Sequence, residues 1–143
     1  MRLFAILITF LSLYGCTEKI NDVLPTIDHP ILGAWQFTAT QINCNERYEF
    51  HPNGTRTYAS AEEEGESKYE ISPAPLPSGF YKIKNTITNN NGKHDCAGGS
   101  TPAGDEVVIF ILFNSSKEQF IMCQSESLES CFGPFTRLTK NGS

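Results

Sequence analysis

The chain has 143 residues, of which 39% are hydrophobic and 19% charged, and its formal net charge is −5. That length suits one domain, and the composition excludes a disordered chain, a bundle of membrane helices and a long coiled coil. The negative balance argues against a surface that gathers phosphate backbones, so nucleic acid is not an expected partner.

Met1-Arg2 is a cationic start, and Leu3 to Leu13 is apolar except for Thr9 and Ser12. A bilayer span needs ~20 apolar residues, so this shorter run reads as the h-region of a signal peptide. It ends in Leu13-Tyr14-Gly15-Cys16, which resembles the lipobox of bacterial lipoproteins: an apolar residue, a tolerant position, a small residue and the cysteine that receives lipid. The resemblance implies cleavage after Gly15 and acylation of Cys16, with a membrane as partner. Several acyl chains on one cysteine anchor a protein stably, because each buried CH₂ contributes ~0.8 kcal/mol. An ordinary secretory signal with an unlipidated Cys16 is the alternative. Thr17 follows the cysteine, where an Asp would imply inner-membrane retention. The same resemblance therefore implies the outer membrane, facing the periplasm. Residues 17–30 are polar, contain two prolines and show no period. They are expected to be a flexible tether, leaving 31–143 as the domain.

From Gly33 onward short alternating runs are separated by turn signals. Ala34–Thr40 puts Trp35, Phe37 and Ala39 on one face, and Arg47–His51 does the same with Tyr48 and Phe50. Pro52-Asn53-Gly54 is a hairpin signal, since both central residues of a type I′ turn need φ > 0. Thr55–Ala61 returns, Glu62–Glu66 is expected to turn at the surface, and Lys68–Ser72 follows with Tyr69 and Ile71 in phase. The proline-rich link 72–77 cannot be a central strand. Further strands are expected at Gly79–Thr88, Val107–Phe113, Lys117–Cys123 and Cys131–Leu138, with a glycine-rich loop over 93–104. Eight strands with hairpin-like connections and no amphipathic helix predict an all-β fold, an antiparallel up-and-down barrel that closes on itself and so has no edges.

Gly33-Ala34-Trp35 at the first strand and Arg137 on the last resemble the Gly-x-Trp motif and its closing arginine in lipocalins and their relatives. The resemblance implies a lipocalin-like barrel in which Arg137 packs over Trp35 at one end. A guanidinium on a desolvated indole face is worth up to ~2 kcal/mol.

Five cysteines are an odd number, and lipidation of Cys16 leaves an even set. Cys123 and Cys131 flank the last hairpin and are expected to face each other, which leaves Cys44 to pair with Cys96 across a long loop. Four cysteines allow three connectivities, so the alternatives stay open. His94 with Cys96 lacks the paired spacing of zinc ligands, and Glu62–Glu66 lacks the alternation of a calcium loop, so no metal or other cofactor is expected. No serine sits in a Gly-x-Ser-x-Gly setting and no phosphate-cradling glycine motif occurs, so the protein is not expected to be an enzyme.

Val107–Phe113 is apolar throughout, although a barrel strand with one wet face should alternate. Either the tether or the 93–104 loop covers its outer face, or Val108, Phe110 and Leu112 form a partner surface. The leading functional reading is a membrane-anchored barrel binding a small apolar ligand. The alternative is an interaction module for an envelope protein, of the lysozyme-inhibitor or immunity type. In support of it, Ser78-Gly79-Phe80-Tyr81 resembles only faintly a loop of small lysozyme-inhibitor lipoproteins.

Overall fold

The computed structural model describes residues 27–139. The expected barrel is what these residues form. Eight antiparallel strands follow one another around a closed sheet: β1 (Gly33–Ala39), β2 (Cys44–Phe50), β3 (Thr55–Ser60), β4 (Glu63–Ile71), β5 (Tyr81–Asn90), β6 (Glu106–Phe113), β7 (Gln119–Cys123) and β8 (Cys131–Arg137). β8 returns to β1 through Trp35↔Arg137 and Gln36↔Thr136, which completes the ring.

Two strands run past their expected limits. The glutamates after Ala61 belong to β4, not to a solvated turn: only Ala61-Glu62 separate Ser60 from its partner Glu63. Cross-strand pairing outweighs the polar composition because Glu63 faces inward and is satisfied there, accepting from Asn90 Nδ2 at 2.6 Å and the Thr101 amide at 2.9 Å. Gly65 makes this approach possible, since a Cβ there would collide with the Tyr58 hydroxyl. Correspondingly, Asn89 and Asn90 extend β5, pairing with Glu66 and Gly65, and do not end it.

The inward faces divide the barrel lengthwise. Near the end where the chain enters, here the base, Trp35, Phe50, Ile83, Ile111, Phe120 and Phe135 are fully buried and interlock. Phe120 and Phe135 stack at 5.0 Å between ring centres, and Trp35 meets Phe120 edge-on at 4.8 Å. Aromatic pairs at these separations add ~0.5–1.5 kcal/mol beyond the area they bury. Toward the opposite end, the mouth, the inward positions turn polar and the interior is not filled.

The base is sealed by residues expected to be a tether. Residues 27–30 are packed, so the domain begins at Ile27 or earlier and not at residue 31; residues 17–26 lie outside the described residues. The Ile27 amide donates to Pro52 O, Ile31 is completely buried, and the Trp35 indole donates to Ile31 O at 2.7 Å. Arg137 locks the plug. Its guanidinium lies 4.1 Å from the Trp35 ring centre, donates to Leu32 O and Pro30 O at 2.7 Å each, and pairs with Glu118 at 3.3 Å. Gly33 has φ +103°, and a side chain there would press on Arg137 Nη1.

His29, only 6% exposed, accepts from the Ile31 amide through Nδ1 and meets the Tyr81 ring edge-on. Burial first, and the nearby Lys117 charge second, push its pKa from 6.5 down to about 4, against a smaller opposing pull from Asp28.

Two predictions concern the base. Arg137→Ala should lower the unfolding free energy by ~2–4 kcal/mol in urea titrations, through the lost stacking and charged hydrogen bonds. Arg137→Lys should recover less than half of that, because an ammonium cannot stack flat or fork to two carbonyls. The second concerns pH. His29 binds its proton more weakly folded than unfolded, so stability is full above pH 6.5 and falls as pH drops toward 4, by roughly 3 kcal/mol. Glu46, whose pKa burial raises, contributes in the opposite direction. Comparing the pH dependence of wild type and His29→Phe isolates the histidine, and the variant should lack this loss.

Candidate functional site

The unfilled half of the barrel is a cavity of about 590 Å³ that opens at the mouth. Strands β2, β3 and β4 contribute a polar wall of Glu46, Tyr48, Arg56, Tyr58, Ser60 and Glu63. Opposite it, Phe37, Ile87, Ile109, Met122 and Phe132 from β1 and β5–β8 form an apolar wall, with Asn85 between the two. Pockets of ~300–1,000 Å³ are the usual size for small-molecule sites.

Arg56 is the deepest charge. It is buried and lies 5.1 Å from the Tyr48 ring centre and 5.0 Å from that of Tyr58, while its Nε donates to Ser67 Oγ at 3.0 Å. Burial lowers its pKa, and the neighbouring Tyr48 and Tyr58 hydroxyls, with Glu46 and Glu63, oppose that. Among the described residues it has no ion-pair partner. The carboxylates of the same wall are satisfied otherwise. Glu46 accepts from the Tyr48 hydroxyl and the Ser60 hydroxyl, and burial raises the pKa of Glu46 and of Tyr48. Asn85, 1% exposed, leaves both its amide nitrogen and its oxygen without a partner.

The mouth is shaped by the β5–β6 loop, residues 91–105. The Glu62 and Glu63 amides donate to His94 O, the Cys96 amide donates to Ser60 Oγ, and Cys96 is disulfide-bonded to Cys44. Asp95, Cys96, Ala97 and Thr101 thereby become part of the cavity rim. The second disulfide, Cys123–Cys131, joins cross-strand partners of β7 and β8. Cys123–Cys131 is the pair expected across the last hairpin, and Cys44–Cys96 is the pair which that leaves.

Other sequence-predicted residues lie elsewhere. Cys16 is outside the described residues. Gly33, Trp35 and Arg137 come together, but at the base. Val108, Phe110 and Leu112 share the outer face of β6, where Val108 is 42% exposed and the other two are partly covered. Of the covers expected there, residues 93–104 rim the mouth and residues 27–30 plug the base, while residues 17–26 lie outside the described residues. Just before β5, Gly79 sits beside Leu112, and Ser78 donates to Glu126 of the β7–β8 loop at 2.7 Å. The described residues contain no cluster of three or more His, Cys, Asp or Glu side chains placed to hold a metal.

The sequence reading missed Arg56, Asn85, Glu46 and Glu63. No local signal pointed Arg56 inward: the expected type I′ turn at Asn53-Gly54 would set it opposite His51. Instead Pro52-Asn53-Gly54 forms a three-residue loop in which only Gly54 has positive φ, and this pairs Arg56 with Phe50. Directly paired residues share a face. Comparison with known families, with curated proteins and with solved structures returns no match for the chain. The class defined here is thus structural: a closed eight-stranded antiparallel barrel with a plugged base and an internal cavity.

The loop that rims the cavity hangs on one covalent bond. Replacing Cys44 and Cys96 together by serine removes a link that closes a loop of 52 residues in sequence. The loss should be about 4 kcal/mol in urea titrations under oxidising conditions. Amide exchange in residues 94–101 should rise more than at Trp35 or Phe135.

Proposed function

We propose that this protein is a lipid-anchored envelope protein, attached through Cys16, whose non-catalytic barrel carries a small and largely apolar ligand. The cavity of about 590 Å³ is the observation that supports the ligand. A barrel of eight strands can be filled completely by its own side chains, yet here the large residues crowd the base and leave the mouth half open. The anchor rests on the apolar run Leu3–Leu13 ending in Leu13-Tyr14-Gly15-Cys16, and the outer membrane, periplasmic side, on Thr17.

The alternative, an interaction module for another envelope protein, draws on the exposure of Val108 beside Phe110 and Leu112. Gly79 lies against Leu112 at the lower end of that stripe and Phe110 is partly covered, which makes it the weaker reading.

Intact mass of the protein purified from its native membrane, under native and then denaturing conditions, tests both parts. The expected result is a chain starting at Cys16 with acyl mass, plus a small non-covalent mass lost on denaturation. Acylation without the extra mass would overturn the ligand and favour the interaction module. A Cys16→Ser chain that still fractionates with membranes would overturn the anchor.

A further inference from the structure

We infer that the floor of the cavity, where Arg56 and Asn85 lie, is the seat for the head group of a monoanionic amphiphile: a carboxylate whose apolar tail runs up the wall formed by Ile109, Met122 and Phe132. This rests on the ligand-carrying reading above and adds the chemical class of the ligand.

Position along the strands sets the orientation. β3 climbs from base to mouth, so Arg56 lies below Tyr58 and Ser60; on β5, Asn85 lies above the buried Ile83 and below Ile87. Both therefore sit just above the packed core, at the closed end of the cavity that both line. Arg56 spends one donor on Ser67 Oγ and presents its flat faces to Tyr48 and Tyr58. Its two terminal nitrogens make no hydrogen bond among the described residues, and a guanidinium fork matches the two oxygens of a carboxylate. Asn85 carries an unpartnered amide nitrogen, a further donor, at full burial. A buried polar group without a partner costs ~1–3 kcal/mol, which a ligand oxygen would relieve.

The charges nearby select a single negative charge over the alternatives. Glu46 and Glu63 share the cavity and Asp95 stands at its rim. Glu46 and Glu63 already accept hydrogen bonds, from Tyr48 and Ser60 and from Asn90 and Thr101 respectively. A cation would have to displace those donors and would meet Arg56. A dianion would be repelled by both carboxylates. A single negative charge pairs with Arg56, which makes no salt bridge among the described residues, and meets the least of that repulsion.

The test uses the full chain in phosphatidylcholine nanodiscs, with empty nanodiscs subtracted, titrated calorimetrically at neutral pH with octanoate, octanol and octylamine. These share a tail and differ only in head group. Octanoate is expected to bind at least about tenfold more tightly than either of the others, as a charge-assisted hydrogen-bonded pair implies. Arg56→Gln should reduce octanoate to the level of octanol, and Asn85→Leu should weaken octanoate while sparing octanol. Should either variant fail to fold, the comparison of the three ligands on the unaltered chain decides alone. Equal binding of octanoate and octanol would overturn the anionic seat and leave the ligand-carrying barrel standing. Preference for octylamine would overturn it in favour of the acidic rim. No binding of any of the three would overturn both.

Discussion

The stacking of Arg137 on Trp35 is the contact on which the closed barrel depends. The first and last strands of the ring meet through only two registered pairs, and one of them is Trp35 with Arg137. Backbone bonds alone would make that seam the weakest in the sheet. The guanidinium reinforces it from inside, reaching from β8 across β1 to the carbonyls of Pro30 and Leu32, so that strand closure and the plug beneath it form one unit. The aromatic cluster that runs from Phe120 through Phe135 to Phe37 adjoins the same indole through Phe120.

With the base this densely filled, the mouth half can tolerate polar groups that a small domain would otherwise exclude. A buried guanidinium, the buried Glu63 carboxylate and the half-buried Glu46 are costly unless hydrogen-bonded, and they contribute little to stability even then. Their concentration on β2, β3 and β4, facing a wall of apolar side chains, separates a load-carrying end from an end with chemical character. The packed core and the open cavity thereby occupy different layers of one sheet.

Much of the architecture was legible because strand alternation and turn chemistry are local. Trp35, Tyr48, Tyr69 and Ile83 announce their faces by their neighbours, and Asn53-Gly54 marks a hairpin, though the loop takes in Pro52 and so shifts the register by one residue from that of a two-residue turn. Cys123–Cys131 followed from hairpin symmetry, and Cys44–Cys96 is the pair which that leaves. What escaped was every inward charge. A run of glutamates reads as a wet turn when taken alone, and only the pairing of Glu63 with Ser60 and its reach to Asn90 turn it inside. Residues 27–30 look like a linker because their packing depends on the distant Arg137 and on Tyr81, neither visible from local composition. The contact of Gly79 with Leu112 on β6 is likewise a long-range event, set by where β4 ends and β5 begins.

The Cys44–Cys96 bond has a consequence for how the chain reaches its final form. Cys44 opens β2, and Cys96 lies beyond β5, against Asn45 and Ser60. Their sulfurs meet only when three successive hairpins have paired in the correct register, and a slip of one residue in any of them would turn the inward set outward. Oxidation therefore ties one alignment of the four strands β2–β5 covalently, and structural disulfides are found mostly in oxidising compartments. Thiol chemistry thus makes the shape of the cavity mouth contingent on the redox state of the compartment the chain occupies.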